Sequence, residues 1–105
     1  MLKGFTPEKI YLATGYTDLR KGIDGLAGIV QEQFQLDAFS DALFLFCGRR
    51  SDRIKGLLYW DSNGFIMLYK RLESGSFRWP RTTQEAIQIT AKQYEWLCQG
   101  EFSGV

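Results

Sequence analysis

The chain contains no histidine, and only two cysteines and two prolines among its 105 residues. Without imidazole it lacks the usual general base at neutral pH, every histidine-dependent triad and the commonest metal ligand. Cys47 and Cys98 do not have metal-ligand spacing, and nothing else in the chain completes a zinc set. Both thiols are expected to be small core hydrophobes in reducing surroundings. No apolar run approaches the ~18 residues of a membrane span, and the opening MLKGFTPEK lacks the apolar stretch of a signal peptide. Also missing are a glycine-rich phosphate loop and a nucleophile elbow. The expectation is a cytoplasmic protein with no metal, no cofactor and no membrane contact.

What remains is an ordinary globular composition, 45% hydrophobic and 24% charged. The length suits a single domain over residues 1–105, with enough surface burial for one modest core. The net charge of +1 hides an asymmetry. Residues 1–40 carry four cations and five acids, residues 41–81 eight and four, and residues 82–105 one and three, giving −1, +4 and −2. Positive charge therefore gathers in the middle of the chain, which points to an anionic partner.

Hydrophobic periodicity places the elements. EKIYLATG (8–15) reads as a strand closed by Gly15, and Thr17 as the cap of a helix starting at Asp18. Leu19, Ile23, Leu26, Ala27, Val30 and Phe34 recur at helical spacing and form its core stripe. The apolar DALFLFCG (41–48) suits a strand covered on both faces. RIKGLLYW (53–60) and FIMLYKR (65–71) flank DSNG, whose Asn-Gly signals a hairpin. A two- or four-residue loop puts Ile54, Leu58 and Trp60 on a core face with Phe65, Met67 and Tyr69. The other face then holds Arg53, Lys55, Leu57 and Tyr59 with Ile66, Leu68 and Lys70. SFRWP (76–80) and AIQIT (86–90) are further short strands, with RTTQEA as a loop between them. Thr90 and Gln93 form a capping box for a last helix, stopped by Gly100. Trp96 points roughly 150° from that helix's apolar stripe. The order predicts an α+β fold: a mostly antiparallel sheet with a central hairpin and two helices packed against it.

Two chemistries compete for the middle segment. Asp52, Asp61 and Glu73 could be read as a carboxylate cluster for Mg²⁺. Asp61, however, opens a turn where Asp bonds locally, and the other two adjoin cations as charge balance. Catalytic residues are therefore not assigned. The cations are more informative. Arg49, Arg50, Arg53 and Lys55 precede the hairpin, and Lys70, Arg71, Arg78 and Arg81 follow it. Hairpin pairing brings residues 53–55 near 70–72, so the two groups converge at one end of the ribbon and suit phosphate contacts. Six aromatic residues lie between 59 and 80; Tyr59 or Trp79, if exposed, could stack on bases. The competing reading is plain: rings in a small core, and a solvated basic edge that discourages strand-to-strand aggregation.

The strings RRSDRIKGLLYWDSNGF (49–65) and YKRLESGSFRWP (69–80) resemble the TnpB accessory proteins of the insertion-sequence sixty-six family. KIYLATGYTDLRKGIDGLA (9–27) and ITAKQYEWL (89–97) extend the resemblance over nearly the whole chain. It implies a non-enzymatic accessory encoded beside a separate transposase and needed for the element to move. The reading that follows is a protein that binds DNA or helps the transposase engage it, through the eight cations named. The alternative is a protein-only adaptor that contacts the transposase, with Trp96 as its partner-binding residue.

Overall fold

The computed structural model describes residues 7–99. Strand β1 (Lys9–Ala13) leads to helix α1 (Ile23–Gly28), which runs on into a π-helical turn (Ile29–Gln33). Strands β2 (Ala42–Cys47), β3 (Arg53–Trp60), β4 (Gly64–Arg71) and β5 (Ala86–Ile89) follow, and helix α2 (Ala91–Cys98) ends the described chain.

All six side chains of β2 are buried, so the strand needs cover on both sides. The sheet supplies neighbours in the order β4-β3-β2-β1-β5. Alternation then divides the core in two. Ala42, Phe44 and Phe46 pack with Ala13, Leu57, Leu26 of α1 and Val30 of the π-helical turn. Leu43, Leu45 and Cys47 pack on the opposite face with Ile10, Leu12, Ile54, Leu58 and the α2 residues Tyr94 and Leu97. Each fully buried leucine contributes about 1.5–3 kcal/mol.

The α+β class is as expected, but the sheet is mixed rather than mostly antiparallel, and the hairpin is marginal rather than central. β1 and β2 run parallel, with Ile10 beside Leu43 and Leu12 beside Leu45. Parallel neighbours need a long crossover, and the segment carrying α1 provides it. The other three pairings are antiparallel, leaving β4 at one margin and β5 at the other.

Three local expectations also change. The hairpin turn has three residues, with Trp60 paired to Gly64 and both Asp61 and Ser62 at positive φ (53° and 56°). An odd turn length inverts the parity of β4 relative to β3. Leu57 and Tyr59 therefore share a face with Met67 and Phe65, while Ile54 and Leu58 share theirs with Lys70 and Ile66. Trp60 and Tyr69, expected in the core, are 43% and 56% exposed. Phe65 is half-buried in contact with Tyr59 and Phe39 rings, at 5.1 Å between centroids in each case.

The first helix begins at Ile23, with Gly22 at its N-cap and no side-chain cap. Thr17 is used elsewhere: its backbone N–H donates to the Cys47 carbonyl (2.8 Å), and its hydroxyl accepts from Gln84 Nε2 (3.2 Å). Residues 76–80 form no strand, yet Phe77 and Trp79 are buried, and Trp79 Nε1 donates to the Ala13 carbonyl at 2.8 Å. The Thr90–Gln93 capping box is formed in both directions (3.1 and 2.8 Å). Gly100, expected to stop that helix, and the opening MLKGFT lie outside the described residues. Among the described residues, no helix is long and apolar enough to cross a membrane.

Trp79→Ala is expected to cost about 3–5 kcal/mol in urea melts, whereas Trp60→Ala costs about 1 kcal/mol or less, because only Trp79 is nearly water-free. Burial also pushes the Cys47 thiol from its ordinary 9.0 up to about 12. A thiol raised on folding contributes stability that is intact below pH 9.0 and lost as pH climbs from 9.0 toward 12. Urea midpoints of the wild type should therefore fall across that alkaline range more steeply than those of Cys47→Ala.

Candidate nucleic-acid interface

The β2–β3 connection is a tight loop. Gly48 N–H donates to the Arg53 carbonyl (3.1 Å), and Ser51 N–H donates back to the Gly48 carbonyl (3.0 Å). Ser51 adopts a left-handed φ of 59° and is buried, while Arg49 and Arg50 at the tip are exposed. Two other segments dock on this loop: Leu72 N–H donates to the Asp52 carbonyl, and Phe77 N–H to the Ser51 carbonyl. A third arrives from the other side of the chain. Gly48 has no Cβ, and one placed there would stand 3.2 Å from Leu19 Cδ1, so glycine lets the 16–20 segment close against the loop. Gly15 makes the bend that feeds it, at φ 71°, with its N–H bonded to the Pro80 carbonyl at 2.8 Å.

Between these segments lies a cleft of about 630 Å³. Arg20, Arg49, Arg50 and Arg53 line it together with Asp18 and Asp52, so four positive and two negative side chains leave +2. Tyr16 and Tyr69 line it as well. Arg20 grips Asp18 bidentately, with Nε 2.9 Å from Oδ1 and a terminal nitrogen 2.8 Å from Oδ2. Those hydrogen bonds hold the Asp18 carboxyl well below the usual carboxylate range and raise Arg20 further. The pair is exposed to water, so its value is in orienting Arg20 rather than in stability. Asp52 Oδ1 and Arg53 Nε are buried without a hydrogen-bond partner.

The eight cations singled out in the sequence do not form one group. Arg49, Arg50 and Arg53 share the cleft. Lys55 follows Arg53 on the same face; its Nζ donates to the Lys21 carbonyl (3.0 Å) and stands 5.8 Å from the Tyr69 ring centre. Arg81 lies 5.8 Å from the Tyr16 ring, at the cleft's other aromatic wall. Arg71 is paired with Arg53 in the ladder and forms an exposed ion pair with Glu73 at 2.8 Å. Arg78 is exposed between the buried Phe77 and Trp79. Lys70 goes the other way. Strand alternation turns it to the α2 face, where Nζ donates to the Cys98 carbonyl at 2.8 Å, a favourable place for a cation at a helix C-terminus.

Sequence reasoning missed Arg20, Asp18, Tyr16 and Tyr69. The run TDLR has the look of a helix start, which concealed that it is a non-helical turn lining the cleft, and an even-length turn assigned Tyr69 to the core. Of the three carboxylates considered for Mg²⁺, Asp61 sits in the hairpin turn and Glu73 pairs with Arg71. Among the described residues, no group of three His, Cys, Asp or Glu side chains is placed to hold a metal ion. Trp96 is 38% exposed on α2, across the sheet from α1.

Comparison with known proteins places the sequence in a family. Two curated relatives come from Sinorhizobium fredii (strain NBRC 101917 / NGR234), both described as uncharacterized. The protein y4hO is 37% identical over 92 residues, covering 88% of this chain and 79% of the relative. The protein y4jC is 33% identical over 92 residues, covering 88% and 78%. No solved structure gives a significant match. The family model described as IS66 Orf2 like protein matches residues 8–102, from β1 through the end of α2, and the chain therefore belongs to the IS66 Orf2-like family, with an accessory role in transposition.

Proposed function

We propose that this protein is a non-enzymatic transposition accessory that contacts DNA directly, using Arg49, Arg50 and Arg53 at the cleft as its principal phosphate contacts. The observation that carries this reading is the convergence of these arginines with Arg20 on one concavity, next to Lys55 and Arg81. Guanidinium groups held by a rigid loop suit phosphate oxygens, which they can grip in pairs. The loop's tie to three other segments supplies that rigidity. With a net charge of only +1, the isolated protein binds weakly, and the transposase supplies the remaining affinity and the chemistry.

The protein-only adaptor is the second reading. What favours it is Trp96, an indole left 38% exposed on a helix that already buries Tyr94 and Leu97. The two readings separate in a pull-down of the transposase with and without element-end DNA.

Binding of a labelled duplex, followed by anisotropy across a salt series, should give a log–log slope of about −2.7 to −3.6, from three or four phosphates at roughly −0.9 each. Replacing Arg49 and Arg50 with Ala should flatten it by about 2, whereas Lys70→Ala should leave it unchanged, since that ammonium is committed to α2. No salt-sensitive binding even at low ionic strength would give the adaptor first place.

Purified protein is also expected to leave DNA intact in Mg²⁺ or Mn²⁺. Cleavage that disappears with Asp52→Ala or Glu73→Ala would make the protein an enzyme after all.

A further inference from the structure

We infer that the cleft takes unpaired nucleotides of a DNA strand, with bases stacked on Tyr16 and Tyr69 and phosphates held by Arg49, Arg50 and Arg53. The inference rests on the DNA-contact reading above and names the form of DNA that the site fits.

Size gives the first reason. A concavity of about 630 Å³ lies within the roughly 300–1,000 Å³ range of small-ligand clefts. A stiff duplex can lie only across such a mouth, whereas nucleotides freed from pairing can enter it.

The walls give the second. Tyr16 and Tyr69 line the cleft, and Tyr69 is 56% exposed although it sits on the sheet face that α1 covers elsewhere. No packing requirement accounts for a ring left in water at that position. Each ring also has a cation 5.8 Å from its centre, Arg81 at Tyr16 and Lys55 at Tyr69. A ring flanked by a cation on one side can receive a base on the other while the cation meets the adjoining phosphate. Bases inside a duplex have both faces covered by their neighbours, so these rings gain nothing from paired DNA. Against a single strand they supply stacking that tolerates any base, alongside a basic track for the backbone.

The test compares a labelled single strand with the duplex of the same sequence, in the same salt, using the full chain. The single strand should bind about tenfold more tightly, and Tyr69→Ala should remove most of that preference, while Tyr69→Phe keeps it to within about twofold. Circular dichroism of each variant checks that the protein remains folded. Equal affinity for the two DNA forms, or a preference untouched by Tyr69→Ala, overturns the inference while leaving the DNA-contact reading in place. Deoxyadenosine monophosphate displacing the strand as effectively as a competing oligonucleotide would reassign the cleft to free nucleotides and overturn it too. Absence of salt-sensitive binding to either DNA form removes both readings together.

Discussion

Six consecutive side chains of β2, from Ala42 to Cys47, are buried, and both of the strand's faces must be kept from water at once. A strand of this kind cannot sit at a margin or leave one side solvated, so it imposes two layers of cover. On one face, Phe44 and Phe46 recruit Leu26 of α1 and Val30 of the π-helical turn after it; on the other, Leu43 and Leu45 recruit Tyr94 and Leu97 of α2. The parallel partner β1 follows from the same demand, because a chain that crosses over β2 to cover it returns in the direction it left. Helix α1 is short and uncapped by any side chain, and α2 has only eight residues. Neither is long enough to be stable alone, so both depend on packing against the sheet.

The loop leaving β2 is where that buried centre meets the surface. Cys47 lends its carbonyl to Thr17, Gly48 admits Leu19, Ser51 receives Phe77, and Asp52 receives Leu72. Segments distant in sequence thus converge on six residues. The arginines in this loop are fixed from behind by backbone hydrogen bonds, and their heads are left to the cleft. A loop held this way would lose little conformational freedom on meeting a ligand.

Charge placement follows from strand geometry as much as from composition. Arg53 and Lys55 are two apart on β3 and emerge on one face; Lys70, one step from Tyr69 and Arg71, emerges on the other. Lys70 then serves α2 by meeting the Cys98 carbonyl. A modest excess of positive charge in the middle of the chain is thereby divided between a structural task and a surface one. Arg20 joins the surface group although it comes from a segment with no net excess of cations.

Much of this was legible in the residues alone. The apolar run at 42–47, the alternation within β3 and β4, and the Thr90–Gln93 box state local preferences strong enough to survive folding. The family's motifs were also visible, as were the arginines at 49, 50 and 53. Tertiary structure decided what depends on long-range pairing. A three-residue turn, one residue different from the Asn-Gly expectation, reversed every side chain of β4 and brought Tyr69 out of the core. Thr17, a good helix cap by type, bonded instead to Cys47 and Gln84, and 16–20 became a loop with a turn at Asp18–Lys21 that walls the cleft. Trp79 was buried in the core, with its indole N–H satisfied by the Ala13 carbonyl 66 residues away in sequence. Local propensity sets which backbone states are cheap, but which of them persists is settled by partners that the chain meets only after it has collapsed.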